Sequence, residues 1–286
     1  MKTDNSKVKA AFKSKEGKNE VIKYYESLLK KWVFPHEEFY IDTVQGKTFV
    51  IASGKEKFPP LILLHGSGMN SIMWINEMEK YSQNYRVYAV DMPGEPGKSN
   101  ENQIPFDGDD FTNWVNDVFN ALSIEKACIV GISLGAWLGA KFSIKYPKKV
   151  TKLVLLCPAG IGPQKKLFAF RALFYMLLGE KGIDKLYYKI NADKPIPQVM
   201  LIYQKLIAKH FNFRREIIPI FTDEELKQLT MPISLFVGGK DIMLHSKKTV
   251  SRLESILAHA NINYIQNEGH SLINQGDEIR EFLNKG

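Results

Sequence analysis

The sequence predicts an α/β protein: an open, mostly parallel sheet of eight strands flanked by helices, with a block of helices inserted between two later strands. Three observations carry that expectation. Strand-like and helix-like segments alternate from about residue 60 onward, the order that builds a parallel sheet with helices on both sides. Several strand-like segments are unbroken apolar runs, such as Leu61-Ile62-Leu63-Leu64, as strands buried on both faces are. Residues 160–222 hold no convincing strand but several Leu- and aromatic-rich helical stretches.

The first 35 residues read as an appended helical arm. Positions 21, 22, 24, 25, 28, 29, 32 and 33 are apolar or aromatic, a helical stripe with a Lys-rich back, and Pro35 ends it. Docking on the main domain is favoured over a membrane-surface role. Strands at 39–44 and 48–52, separated by Gln45-Gly46-Lys47, form a hairpin. Further strands are expected at 61–64, 86–90, 127–132, 152–156, 234–237 and 263–266, with helices near 71–81, 110–122, 134–145, 246–258 and 271–284. In the insertion, helices at 167–178, 183–190 and 197–211 are separated by Pro, Gly and short polar turns. They are expected to form a lid over the carboxyl edge of the sheet. The division is thus an arm (1–35), a core (36–159 and 223–286) and a cap (160–222).

Composition narrows the function classes. A chain of 286 residues is short for two ordinary enzyme domains; at this size about 75% of the unfolded surface is buried without staples. With 44% hydrophobic, 24% charged and 12% aromatic residues, disorder, collagen and coiled coil are excluded. No apolar run nears the ~20 residues of a membrane helix, and no apolar segment of a secretory signal follows the Lys-rich N-terminus. The expected compartment is the cytoplasm. Cys128 and Cys157 fall at opposite ends of adjacent strands, about 15 Å apart at ~3.3 Å per residue, too far for a disulfide. The net charge of +8 is uneven: residues 1–31 carry an excess of +5, residues 165–215 hold eleven Lys/Arg against three acids, and the remainder is negative. No aromatic-interleaved basic strand accompanies it, so no nucleic-acid partner is expected. Solvated helix faces are the main reading, and attraction to an acidic substrate or an anionic surface the second.

The strongest chemical signal is Gly131-Ile132-Ser133-Leu134-Gly135. It leaves an apolar strand and opens a helix rich in small residues, the setting of a nucleophile elbow. The flanking glycines are expected because a Cβ there would collide with neighbouring backbone, and the helix N-terminus directs free N–H groups at the site. His65-Gly66-Ser67-Gly68 follows directly after the strand 61–64. The N–H groups of Ser67 and Leu134 are the candidate oxyanion hole. His65 itself reads as a structural loop histidine.

Taken with Asp91-Met92-Pro93-Gly94-Glu95-Pro96-Gly97-Lys98-Ser99, these motifs resemble the α/β-hydrolase superfamily, and within it the small bacterial carboxylesterases that carry a helical cap. The resemblance runs from about residue 37 to the end and is weakest over 160–222. It implies the α/β-hydrolase fold, an acid after a late strand and a histidine after the last one. Asp241, in Gly238-Gly239-Lys240-Asp241, and His270, in Glu268-Gly269-His270, occupy those places. A serine hydroxyl is a weak nucleophile until an imidazole takes its proton, and a carboxylate fixes that imidazole's tautomer. The order Ser133, Asp241, His270 is the one this fold uses. Alternatives stay open: Asp241 also suits a turn, His270 a helix cap or the core. His245 is the nearest decoy; His36, His210 and His259 fall in arm, lid and outer helix.

Residues 94–99 look like a phosphate loop, but position 92, where its first glycine belongs, is Met, and Pro93 and Pro96 withhold two N–H donors. They read as a loop at the rim of the site. No Cys/His spacing suits zinc, and neither a metal nor a cofactor is expected. The function expected is a serine esterase acting on small-molecule esters, with Phe168, Phe170, Phe174, Tyr175 and Met176 divided between an apolar pocket and, for more than half, lid core. A carbon–carbon bond hydrolase of the same fold is one alternative, although Met69-Asn70 depart from the expected oxyanion-loop pattern. A weakly catalytic small-molecule receptor is the other.

Overall fold

The structure, a computed structural model, describes residues 10–272 and 275–285. The first nine residues of the arm, and residues 273 and 274 within the expected last helix, lie outside the described residues.

Eight strands form one sheet in the order β1-β2-β4-β3-β5-β6-β7-β8. Strands β1 (Glu37–Thr43) and β2 (Gly46–Ser53) make the antiparallel hairpin at the edge, and β2 pairs antiparallel with β4 (Arg86–Val90). All remaining pairs are parallel, joining β4, β3 (Pro60–Leu64), β5 (Ala127–Ile132), β6 (Val150–Leu156), β7 (Ile233–Gly238) and β8 (Asn261–Ile265). Every residue of β5 and β7 is buried, whereas none of β8 is. Apolar runs thus mark the central strands and mixed sequence the edge, as two-faced burial demands. β8 begins before the apolar pattern does because Asn261 and Asn263 satisfy their amides on Ser234 Oγ (3.2 and 3.1 Å).

Successive residues of a strand point to opposite faces, and the core divides accordingly. Ile62 and Leu64 face one cluster, built with Trp114 and Phe119 of α3 (Asp110–Ala121), Trp137 and Phe142 of α4 (Leu134–Lys145) and Leu253 of α9 (Ser246–Ile256). Leu61 and Leu63 face the other, with Tyr25 and Leu29 of α1 (Lys15–Lys31), Met78 and Tyr81 of α2 (Ile75–Tyr81) and Ile279 and Leu283 of α10 (Gly276–Asn284). α10 starts at Gly276, later than the expected 271.

Between β6 and β7 lie α5 (Leu167–Leu177), α6 (Gly179–Ile190), α7 (Gln198–His210) and the single turn α8 (Asp223–Leu226). Helix α8 is held by a capping box in which Thr222 Oγ1 accepts the Glu225 N–H and the Glu225 carboxylate accepts the Thr222 N–H. That Thr-x-x-Glu signal stands in the sequence, but the turn it caps is too short for periodicity to register. Helix α7 receives the arm: Tyr24 stacks on Tyr203 (5.3 Å), and the Lys13 N–H donates to His210 O (2.8 Å).

The expectation for the lid aromatics fails for Phe170, Phe174 and Met176, which are exposed. No residue of α5 is buried, and Phe170 and Phe174 are 72% and 60% exposed. The helix meets the protein through a narrow stripe, where Phe168, Ala172 and Tyr175 are half-buried. Sequence periodicity identified an apolar helix, but an apolar helix need not be a covered one.

Candidate active site

The carboxyl ends of β5, β6, β7 and β8 lie side by side, and each is followed by a residue of the site. After β5, Ser133 sits at φ 53°, ψ −109°, a strained conformation for a residue with a Cβ. Its N–H donates to Leu156 O (2.8 Å), and its carbonyl accepts the Trp137 N–H (3.0 Å), which starts α4. The two motif glycines are sterically required. A Cβ at 131 would run into the Gly135 carbonyl, and one at 135 into the carbonyls of Leu64 and His65. We expect Gly135→Ala to lose about 1–3 kcal/mol of stability through overpacking against backbone, read as a lower urea midpoint; an unchanged midpoint would refute this packing account.

The loop after β3 passes beside the serine: a Cβ on Gly66 would lie 3.8 Å from Ser133 Cβ. The buried His65 shapes this loop. Its Nδ1–H donates to Gly66 O (2.9 Å), and its Nε2 accepts the Met92 N–H (2.8 Å). Burial lowers its pKa, against smaller opposing effects of Asp91 and the Gly66 carbonyl, so the ring is held neutral in one tautomer. Ser67 is exposed, while Leu134 opens α4 and so has an N–H without an acceptor in its own helix.

Two acids of the 91–99 loop, both buried, brace this arrangement. Asp91 accepts from the Ser71 N–H and the Lys98 N–H, each at 2.8 Å, and from Tyr25 Oη of the arm (3.2 Å). Glu95 Oε2 accepts the Gly68 N–H (2.7 Å) and the Ser67 hydroxyl (3.4 Å); Oε1 pairs with Arg214 Nε (3.1 Å). The Arg214 side chain is also buried; it donates to Ile104 O (2.7 Å) and its guanidinium lies 5.0 Å from the Phe106 ring centre. Burial raises the Glu95 pKa, and Arg214 and the Gly68 N–H offset that only in part. Sequence reasoning missed this pair. A Glu between Gly94 and Pro96 reads as loop, and Arg214 lies over a hundred positions away with no motif around it.

After β7, Asp241 is buried and its Oδ1 accepts the N–H groups of Met243 (2.6 Å) and Leu244 (2.9 Å). Its Oδ2 lies 2.7 Å from Nδ1 of His270, which follows β8. Burial pushes the Asp241 pKa up, but the His270 imidazole and the two N–H groups outweigh it and hold the carboxyl below its ordinary range. The His270 N–H donates to Ile190 O at the end of α6 (2.9 Å), and Lys165 Nζ donates to Asp241 O (2.5 Å). The insertion therefore touches both residues. Nε2 of His270 is buried and has no hydrogen-bond partner among the described residues.

After β6 comes Cys157, fully buried, whose sulfur lies within 4.8 Å of ligand atoms of Asp241 and His270. Burial first, then the Asp241 charge, raise its pKa well above the ordinary thiol value, which keeps it a neutral neighbour. Cys128 and Cys157 are both free, as the strand geometry required.

The other histidines stand elsewhere. His245 precedes α9 and makes its contacts through backbone, to Pro163 O and the Thr249 N–H. His36 lies beside Glu38 (3.5 Å), His210 beside Glu20 (3.2 Å), and His259 bonds Met231 O (3.2 Å).

Comparison with known proteins agrees with this architecture. A profile of the alpha/beta hydrolase fold matches residues 59–181. Two Bacillus subtilis proteins, carboxylesterase YbfK and the protein named uncharacterized carboxylesterase nap, are each 31% identical to the chain. Those matches cover 87% of this chain and 86% of YbfK, and 88% of this chain and 87% of nap. The crystal structure of carboxylesterase CesB (YbfK) superimposes with a TM-score of 0.85 over 95% of this chain and 99% of that one, at 28% identity. That of naproxen esterase (carboxylesterase NP), also from B. subtilis, gives 0.83 over 95% and 98%, at 29% identity.

Proposed function

The chain belongs to the α/β-hydrolase family, and from that premise we propose that it is a carboxylesterase whose triad is Ser133, Asp241 and His270. It is a serine hydrolase of carboxylic esters. The observation that carries the triad is the buried Asp241–His270 pair, with Nδ1 engaged and Nε2 left without a partner, at the sheet edge where Ser133 is held. Ser133 Oγ attacks the ester carbonyl carbon while its proton passes to His270 Nε2. The N–H groups of Ser67 and Leu134 hold the oxyanion of the tetrahedral intermediate. The carbon–oxygen bond to the alcohol then breaks, and His270 returns the proton to the departing alkoxide. A water gives a proton to the same nitrogen and attacks the acyl-serine; the acid leaves and the Ser133 hydroxyl is restored. Asp241 keeps the Nδ1–H tautomer and stabilises the imidazolium throughout. Each bond change is polar and each proton is carried by His270, so the cycle needs neither metal nor redox cofactor.

Small esters are the proposed substrates. The cytoplasm is the proposed compartment, supported by the two free buried thiols. No helix among the described residues is long and apolar enough to cross a membrane.

The test is a panel of p-nitrophenyl acyl esters of increasing chain length, run with a fluorophosphonate probe that labels activated serines. Continuous turnover, with probe labelling lost in Ser133→Ala, is the expected result. A single slow burst followed by tight retention of the small molecule would move the assignment to a receptor.

The pH profile supplies a second check. A carboxylate whose folded pKa is depressed contributes stability that is present above its unfolded pKa and lost only as pH falls through the lower folded value. Asp241 therefore stays ionised from the ordinary carboxylate range upward. The activity profile should therefore show no acid limb from Asp241 within the ordinary carboxylate range. An acid limb of kcat/KM in the ordinary carboxylate range that disappears in Asp241→Asn would contradict this reading.

A further inference from the structure

We propose that the outer face of α5 docks this enzyme on an anionic lipid surface. Five of the eleven residues of α5, Leu167, Phe170, Leu173, Phe174 and Leu177, are 57–78% exposed. At 100° per residue they fall within an arc of about 120°, opposite the half-buried stripe of Phe168, Ala172 and Tyr175. Large side chains exposed singly are ordinary; a contiguous patch of them on one helix marks an interaction surface.

The charges around the patch select the partner. Lys166 lies within the arc, Arg171 about 40° beyond its edge, and Lys181 and Lys185 follow on α6, the helix that packs against α5. None of the four has an acidic partner among the described residues. The acids of α6 are engaged elsewhere: Glu180 and Asp184 both pair with Lys205 of α7, at 3.2 and 3.3 Å. The hairpin thus presents apolar side chains fringed by cations without counter-charges. An amphipathic helix of this kind lies in the plane of a bilayer, with apolar groups at the acyl boundary and cations among anionic headgroups.

A second copy of the chain fits less well. A two-fold contact would place the patch against itself, bringing Lys166 and Arg171 of both copies together with no acid on either face to neutralise them.

The test is co-sedimentation of the full chain with vesicles of phosphatidylcholine alone, and of phosphatidylcholine with one third phosphatidylglycerol. Partition onto the anionic vesicles only, weakened by salt, is expected. L173E/L177E should lower it about 10-fold or more, with the circular dichroism spectrum and urea midpoint preserved. K166E/R171E, which keeps the apolar face, should also weaken it. The proposal falls if the protein ignores both vesicles, if it binds both equally, or if L173E/L177E partitions like the wild type. It also falls if the chain dimerises and L173E/L177E dissociates the dimer, which would make the patch a self-contact. None of these readouts depends on ester turnover.

Discussion

Ser133→Ala is expected to lower kcat by about 10³-fold or more while leaving the urea midpoint close to that of the wild type. The fold is indifferent to the hydroxyl, because the turn is held by backbone bonds from the Ser133 N–H to Leu156 O and from the Trp137 N–H to Ser133 O, and alanine keeps both. Chemistry is not indifferent: without Oγ there is no acyl-enzyme. His270→Ala should cost a comparable factor, and the double variant little more, because nucleophile and base act as one unit. Asp241→Asn should reduce kcat strongly while preserving packing, since an amide opposite Nδ1 favours the wrong tautomer. His245→Ala is the control and should change kcat far less. Equal losses in His245→Ala and His270→Ala, with both proteins folded, would show that the base has been misassigned.

The parts of this site that could be read from sequence are those in which a single backbone conformation dictates the residues. Gly131 and Gly135 are forced by carbonyls on their own turn and on the end of β3, so the elbow leaves a local signature whose setting, an apolar strand before and a small-residue helix after, is legible too. Asp241 and His270 were legible through the family resemblance, which implies an acid after a late strand and a histidine after the last one; both lie in the loops that follow β7 and β8. His65 shows the limit of local reading. Its position announced a loop histidine, but only the structure supplies the reason, a ring clamped between Gly66 O and the Met92 N–H. The insertion between β6 and β7 was legible as helices and illegible as packing. Periodicity reports that α5 is apolar and says nothing about what covers it, which depends on where α6 and α7 settle. Glu95 and Arg214 were illegible altogether, because a buried ion pair between distant loops has no spacing rule.

That ion pair carries the largest stability prediction. Glu95→Ala is expected to destabilise the protein by about 3–5 kcal/mol, because it strands a buried guanidinium and removes the acceptor of the Gly68 N–H together. Burial makes the charge on Glu95 costly, as the direction of its pKa shows, so the pair is not a reservoir of net stability. Removing both charges with apolar residues of similar length, as in E95M/R214M, should therefore recover part of what the single change loses while still leaving the Gly68 N–H without its acceptor. Activity should separate from stability in this series. Glu95 fixes the amide after Ser67, and Phe213, next to Arg214, occupies the space a side chain at Gly68 would need. When that brace is lost, the Ser67 N–H, a donor in the proposed oxyanion hole, is expected to drift from its place. One such donor is worth about 10²–10³ in kcat, which sets the ceiling of the effect. The double variant should thus refold well yet stay slow, with kcat reduced and KM little changed. A double variant with wild-type kcat would place Glu95 in the framework alone; a single Glu95→Ala variant with a wild-type urea midpoint would mean that the guanidinium finds another partner or reaches water.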